Sequence, residues 1–348
     1  MHSTIKYTII LILILSGKYL ISQDQLYSQI NSNPSNINTA LTGVFDGKYR
    51  LGIAYRNQWF RISQNSSFNI KDFYADTKFN IVGDNYLGLG ISISEKNSGT
   101  ADVSLGMAHL NLSYQQKLNY NKYSSRSQFL IFGTQTGIGK LYSDFNNYFF
   151  GIQFDKNSES LNTSTPNGEE LVNSDPFLDI NAGLLYFNST KYNSFYIGAS
   201  IYHINSSIYS LIEGSNDKLQ RRYSALVGGE INFNKNLSLL PSLIINIQNK
   251  FATYRIGSSI RAYYSDSEYN YVRFGLWTKI INTQETLDFS DLTLSAIFNF
   301  NRIEIGCSYD LNIGYSSELS RGNGAFEFNC NYILGDTPKH YKIFCPRF

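Results

Sequence analysis

From Gly47 onward, apolar and polar residues alternate along the chain with a period of two. Between 86 and 94, Leu87, Leu89, Ile91 and Ile93 fall on one side, and Gly88, Gly90, Ser92 and Ser94 on the other. Ile303, Ile305, Cys307, Tyr309, Leu311 and Ile313 repeat the pattern against Arg302, Glu304, Gly306, Ser308, Asp310 and Asn312. So do Phe326, Phe328, Cys330 and Tyr332 against Glu327, Asn329 and Asn331. This period describes pleated strands with one apolar and one polar wall. A soluble sandwich alternates too, but its strands favour about five or six residues. The runs here are about 10 to 14 residues long, the length a tilted strand needs to cross a bilayer. Strands are expected near 47–60, 67–80, 86–94, 101–118, 127–142, 176–187, 194–204, 221–233, 237–248, 251–264, 270–280, 289–300, 301–313 and 324–334. The count is even, as in a single-chain bacterial barrel. The expected fold is all-β: a transmembrane antiparallel β-barrel of about 14 strands. In the fourth strand the apolar parity changes between Met107 and Leu110, which suggests a bulge near Ala108 or His109.

The chain outside the ladder reads differently. Lys6 followed by Thr8–Leu15 (TIILILIL) resembles the charged and apolar regions of a secretory signal, and the run is too short to span a bilayer as a helix. Gly17, Lys18 and Tyr19 interrupt it, which disfavours an anchor helix. Cleavage is expected near Ser22. The expected division is a signal peptide over 1–22, a polar segment over 23–46 that is either a plug or periplasmic, and an outer-membrane barrel over 47–348. The bacterial outer membrane is the expected location. Residues 143–175 form the longest connection and are rich in Asn, Ser and Asp.

Composition sharpens this picture. Charged residues make up 16% of the chain, against roughly 25% in soluble domains. There are 27 Tyr and 24 Phe but 2 Trp, and mean hydropathy is -0.24. Lipid-facing apolar walls averaged with polar inner walls produce such a value. Tyr and Phe near strand ends suit aromatic girdles. A net charge of +2 without a basic stripe argues against nucleic-acid partners.

The three cysteines (Cys307, Cys330, Cys345) form no CxxC and do not read as a disulfide framework. The four histidines have no metal-ligand spacing. No nucleotide loop, nucleophile elbow or metalloprotease motif occurs. No cofactor, metal or catalytic residue is expected, and Glu169-Glu170 reads as a solvated pair. An outer-membrane hydrolase would need a base on the barrel wall. His109 and His203 are the candidates, and neither carries a motif.

At the start of the polar segment the residues become specific. Gln23-Asp24-Gln25-Leu26-Tyr27-Ser28-Gln29 precedes Asn33-Pro34, then Asn38-Thr39-Ala40-Leu41-Thr42-Gly43, then Tyr55-Arg56-Asn57-Gln58-Trp59. Phe150-Gly151-Ile152-Gln153-Phe154-Asp155, Phe195–Ser200 with His203-Ile204, Ser308-Tyr309-Asp310, Gly324-Ala325-Phe326-Glu327 and Cys345-Pro346-Arg347-Phe348 follow. This order resembles the PorP/SprF family of Bacteroidetes outer-membrane proteins. Thr39, Leu41, Thr42 and Phe326 depart from that family's pattern.

The resemblance implies a non-catalytic barrel serving type IX secretion, surface display of a cargo or gliding motility. Its implied partners are outer-membrane lipids, an adhesin-like surface cargo, and secretion components including a peptidoglycan-binding lipoprotein. Tyr27, Asn33, Pro34 and Trp59 are the expected plug or partner-binding residues. The competing reading is a porin-like diffusion channel, since 14 strands enclose a wide lumen unless something fills it.

Overall fold

A computed structural model of the protein describes residues 24–29, 32–59, 67–99, 103–119, 126–145, 148, 151–155, 160–162, 171–190, 193–265, 269–282, 286–315 and 317–335. The leader over 1–22, Glu169-Glu170 and the Cys345–Phe348 ending lie outside them. In chain order the strands are β1 (Tyr49–Gln58), β2 (Phe68–Asn80), β3 (Tyr86–Ser98), β4 (Val103–Lys117) and β5 (Ser127–Tyr142). A short hairpin follows, β6 (Phe154–Asp155) and β7 (Ser160–Leu161). Then come β8 (Phe177–Ser189), β9 (Asn193–Tyr202), β10 (Arg222–Asn232), β11 (Leu237–Gln248) and β12 (Phe251–Tyr263). The last are β13 (Tyr271–Asn282), β14 (Leu287–Phe300), β15 (Ile303–Asn312) and β16 (Asn323–Leu334).

All but β6 and β7 form one closed antiparallel barrel of fourteen strands, each bonded to its sequence neighbours, with β5 passing directly to β8. β1 closes on β16 from Tyr49↔Leu334 to Gln58↔Ala325, so no strand edge is left unpaired in lipid.

Fourteen long strands therefore stand where the alternation places them. β3 runs on past the expected 94 to Ser98, paired to β2 and β4; Glu95, Lys96 and Asn97 are polar on both faces, so alternation does not mark the strand there. Strand β4 holds the one correction. Its pairing to β3 and β5 is continuous through Ala108 and His109, with no bulge. The parity change has another cause. Leu105 and Met107 point inward, where Met107 joins a buried cluster with Phe177 and Leu219. Leu110 and Leu112 point outward and are exposed. Irregular register occurs instead at Lys279/Ile280 and Asp310/Leu311.

The outer face carries exposed apolar side chains such as Ile53, Ile91, Leu110, Phe132, Ile260 and Leu276. Around the rim where β1 begins, Tyr49, Phe79, Tyr114, Phe233, Tyr264 and Phe300 stay exposed, an aromatic girdle at interface depth. At this rim β2 passes to β3, β4 to β5, β8 to β9, β10 to β11, β12 to β13 and β14 to β15. At the opposite rim, termed the long-loop rim, β5 passes to β8 and β9 to β10. Cys307 and Cys330 are free.

The inner face is not uniformly polar. A strap, described over 24–29 and 32–47, leads through the lumen from the long-loop rim to the other rim before β1 begins. Leu41 and Val44 of this strap pack in one core with inward-facing Phe129, Leu185, Leu226 and Trp277. Short 3-10 turns at Pro34–Asn36 and Thr39–Leu41 compact it.

Candidate functional site

The strap is polar and short of regular structure, so its backbone groups must find partners on the barrel wall. Glycines make room for it. A Cβ at Gly133 would overlap the backbone of Thr39 and Ala40, and one at Gly183 would meet the Asn38 side chain. Asn38 caps the second turn through its Oδ1 and donates from Nδ2 to the Leu184 and Ala199 carbonyls, at 3.1 and 3.3 Å. The Gly43 amide donates to Asp76 at 2.7 Å, and Asp76 also pairs with Arg50 at 2.6 Å. Ser113 and Gln115 donate to the Thr42 and Gly43 carbonyls.

Two ionic clusters hold the upper part of the strap. In the first, Arg56 of β1 pairs with Asp310 of β15 at 2.8 Å and with Glu327 of β16. Ser28 of the strap completes it. Its Oγ accepts from Arg56 at 2.8 Å and donates to Asp310 at 2.7 Å, while its amide donates to Glu327. The Gln29 amide donates to Glu327 at 3.0 Å.

In the second cluster, His203, just after β9, lies between two carboxylates: Nδ1 is 2.7 Å from Asp179 and Nε2 is 2.9 Å from Asp24. Arg222 approaches Asp24 at 3.2 Å, and His109 bonds the other Asp179 oxygen at 2.9 Å. His203 adopts φ 58, a left-handed conformation that L residues pay to enter. Its amide is held by Asn181 Oδ1 at 2.6 Å.

Burial alone would raise the Asp24 carboxyl, but His203, Lys96 and Arg222 hold it well below the usual carboxylate range. Burial likewise pulls the His203 imidazole down. Asp24 and Asp179 outweigh it and hold His203 up at about 8.

A group raised in the folded state stabilises fully below its unfolded value and loses that contribution as pH rises through the folded value. The window here runs from about 6.5 to above about 8, and the contribution is about 2 kcal/mol. A spin label at Gln25→Cys is expected to be immobile at pH 6 and to gain mobility by pH 9. A His203→Gln variant should lack that transition. Label mobility independent of pH in the parent protein would refute the hold of His203 on Asp24 and the strap.

The four expected residues stand as follows. Tyr27 donates from its hydroxyl to the Ala54 carbonyl at 3.2 Å. Asn33 donates to Asp72 at 2.8 Å, joined by Asn36 at 2.9 Å. Pro34 is buried at the start of the first 3-10 turn. Trp59 sits past the end of β1 with φ 62, its amide donating to Gly324 O at 2.8 Å and its ring edge-on to Phe68 at 5.2 Å. It lines an inner cavity with Tyr27 and Asn33. Asp24, Ser28, Arg56, Asp179, Asp310 and Glu327 were not singled out from sequence as site residues. All but Asp179 lie in the stretches that carry the family resemblance.

The imidazoles of His109 and His203 bond carboxylates, and neither ring bonds a serine hydroxyl among the described residues; the Ser206 hydroxyl donates to the His203 carbonyl instead. Among the described residues, no three His, Cys, Asp or Glu side chains could hold a metal ion.

The family model for the type IX secretion system membrane protein PorP/SprF matches residues 20–332, nearly the whole chain. The chain belongs to the PorP/SprF family. It is thus a type IX secretion-related protein whose closed barrel and apolar outer wall place it in the outer membrane.

Among solved structures, this PorP/SprF chain is similar to CdiB from Escherichia coli (9% identity, 82% of this chain and 62% of that chain, TM-score 0.47). It is also similar to BamA from Haemophilus ducreyi lacking POTRA domains 1-3 (10%, 82% and 70%, 0.42). A third is the Ralstonia pickettii toluene transporter TbuX (11%, 86% and 92%, 0.43). The chain spans less than two thirds of the CdiB structure. No curated protein matches it.

Proposed function

We propose that this barrel is a non-catalytic scaffold of type IX secretion, with residues 24–46 as its plug. It serves surface display of a cargo protein, or the secretion and gliding machinery, by binding partner proteins. The observation that carries this reading is the strap itself. Fourteen strands would enclose an aqueous lumen, yet the strap crosses it and is bonded to β1, β2, β3, β4, β8, β9, β10, β11, β15 and β16. A lumen crossed by a bonded strap suits a platform better than a diffusion pore. At the long-loop rim, exposed Ile152, Phe154, Ile208 and Ile212 supply binding area, since recognition concentrates on loops carried by a rigid frame. Long loops face the exterior in such barrels, so partners at that rim are surface proteins and those at the other rim are periplasmic.

Affinity purification of the tagged barrel from its native outer membrane in mild detergent, followed by mass spectrometry, tests this. Recovery of one large surface protein supports the display role. Recovery of secretion components with a peptidoglycan-binding lipoprotein supports the machine role. A barrel that purifies alone, from membranes in which both are present, counts against the scaffold and in favour of a channel.

A further inference from the structure

Beside the strap, toward the long-loop rim, lies a cavity of about 400 Å³, bounded by Leu26, Tyr27, Gln29, Asn33, Asn36 and Ile37 on one side and by β11 to β15 on the other. Four cations line it, Arg56, Arg222, Arg255 and Lys279, against two anions, Asp24 and Asp291. Three of the cations are engaged. Arg56 is taken by Asp310 and Glu327, Lys279 by Asp291 and Arg222 by Asp24.

Arg255 differs. It stands on β12, is 8% exposed, forms no ion pair among the described residues, and its Nη1 is buried without a hydrogen-bond partner there; Nε and Nη1 of Arg222 also lack a hydrogen-bond partner, but that side chain is held by Asp24 and the Asn36 carbonyl. The carboxylates near it are spent elsewhere. Asp310 accepts from Arg56, Ser28 and Thr293. Glu327 accepts from Arg56, two strap amides and Ser308. Asp291 accepts from Lys279 and Ser290. A guanidinium taken out of water without an acceptor is costly, and an acceptor that enters beside it recovers that cost.

We propose that this cavity binds a carboxylate carried on a short apolar body, with Arg255 as its receptor. A carboxylate matches the planar donor fork of arginine and accepts two parallel hydrogen bonds from it. Ile37, Ile244 and Ile281 line the same cavity and give the apolar body a surface to bury. The volume is in the range of small-molecule sites. The binding group has two sources, a free organic acid or the C-terminal residue of an extended peptide. The inference stands apart from the secretion reading, since a plugged barrel of any role would carry the same pocket.

The test is titration of the purified full-length barrel with sodium isovalerate and with acetyl-Leu-Leu, read by tryptophan fluorescence because Trp59 lines the cavity. Saturable binding of at least one acid is expected, without binding of acetyl-Leu-Leu amide. Arg255→Gln should weaken it by about 10–100-fold, the worth of a hydrogen bond to a charged group. Arg255→Lys, which keeps the charge and loses the fork, should fall between. Lys71→Gln, on the outer wall, should leave binding unchanged. Tighter binding of the peptide acid identifies a chain terminus as the source, and equal or tighter binding of isovalerate a free acid. The proposal fails if neither acid binds, or if folded Arg255→Gln binds as well as the parent protein.

Discussion

Arg56→Met is expected to destabilise the barrel by about 3–5 kcal/mol, because it strips the cation from a buried cluster and leaves two carboxylates facing each other. Asp310 and Glu327 have side chains only 1% exposed, and Arg56 sits between them. Neither carboxylate can be rehydrated while Ser28 and Gln29 cover them. The strap should therefore lift from this point as well. The temperature at which the barrel loses its heat-modifiable migration on gels measures the effect. A triple variant, Arg56→Met with Asp310→Asn and Glu327→Gln, removes the uncompensated charges and should recover more than half of the loss. If Arg56→Met alone unfolds within about 1 kcal/mol of the parent, the cluster does not carry the stability assigned to it.

Deleting residues 24–43 is expected to convert a sealed barrel into a conducting one. The strap supplies Leu41 and Val44 to the lumenal core, and its second turn sits on Gly133 and Gly183, where any side chain would collide with it. Without it, the polar wall groups now bonded to the strap would face water. In planar bilayers the intact protein should show no stable porin-sized step, and the deletion a stable one on the order of tenfold larger than any residual leak. Gly133→Leu makes the same test with one residue, by expelling the second turn while leaving the β5 ladder hydrogen bonds in place. Equal conductance from the intact and strap-deleted proteins would remove the strap as a seal and restore the porin-like reading.

The two ionic clusters explain why the segments that resemble the PorP/SprF family read as separate motifs in sequence. The Arg of Tyr55-Arg56-Asn57-Gln58-Trp59, the Asp of Ser308-Tyr309-Asp310, the Glu of Gly324-Ala325-Phe326-Glu327 and the Ser of Tyr27-Ser28-Gln29 meet at one point. Asp24 of the opening segment meets the histidine of His203-Ile204. Each motif contributes one charge or hydroxyl to a site that no single motif contains. Trp59 belongs to the same region and lines the inner cavity, which distinguishes it from the exposed aromatics of the girdle.

Strand number, strand length and the lipid-facing side were legible along the chain, because a pleated strand between two unlike solvents imposes its period on neighbouring residues. Ile91, Leu89 and their neighbours needed no distant partner to declare their side. Leu105 and Met107 misled in β4, because an apolar residue has the same signature whether it meets lipid outside or a buried cluster inside. The strap's path, its seat on Gly133 and Gly183, and the pairing of Arg56 with Glu327 across 271 positions were decided only by the tertiary structure. A polar inward residue looks alike in sequence whether it faces water or another segment, and only closure of the barrel on the right register brings its partner within hydrogen-bond reach.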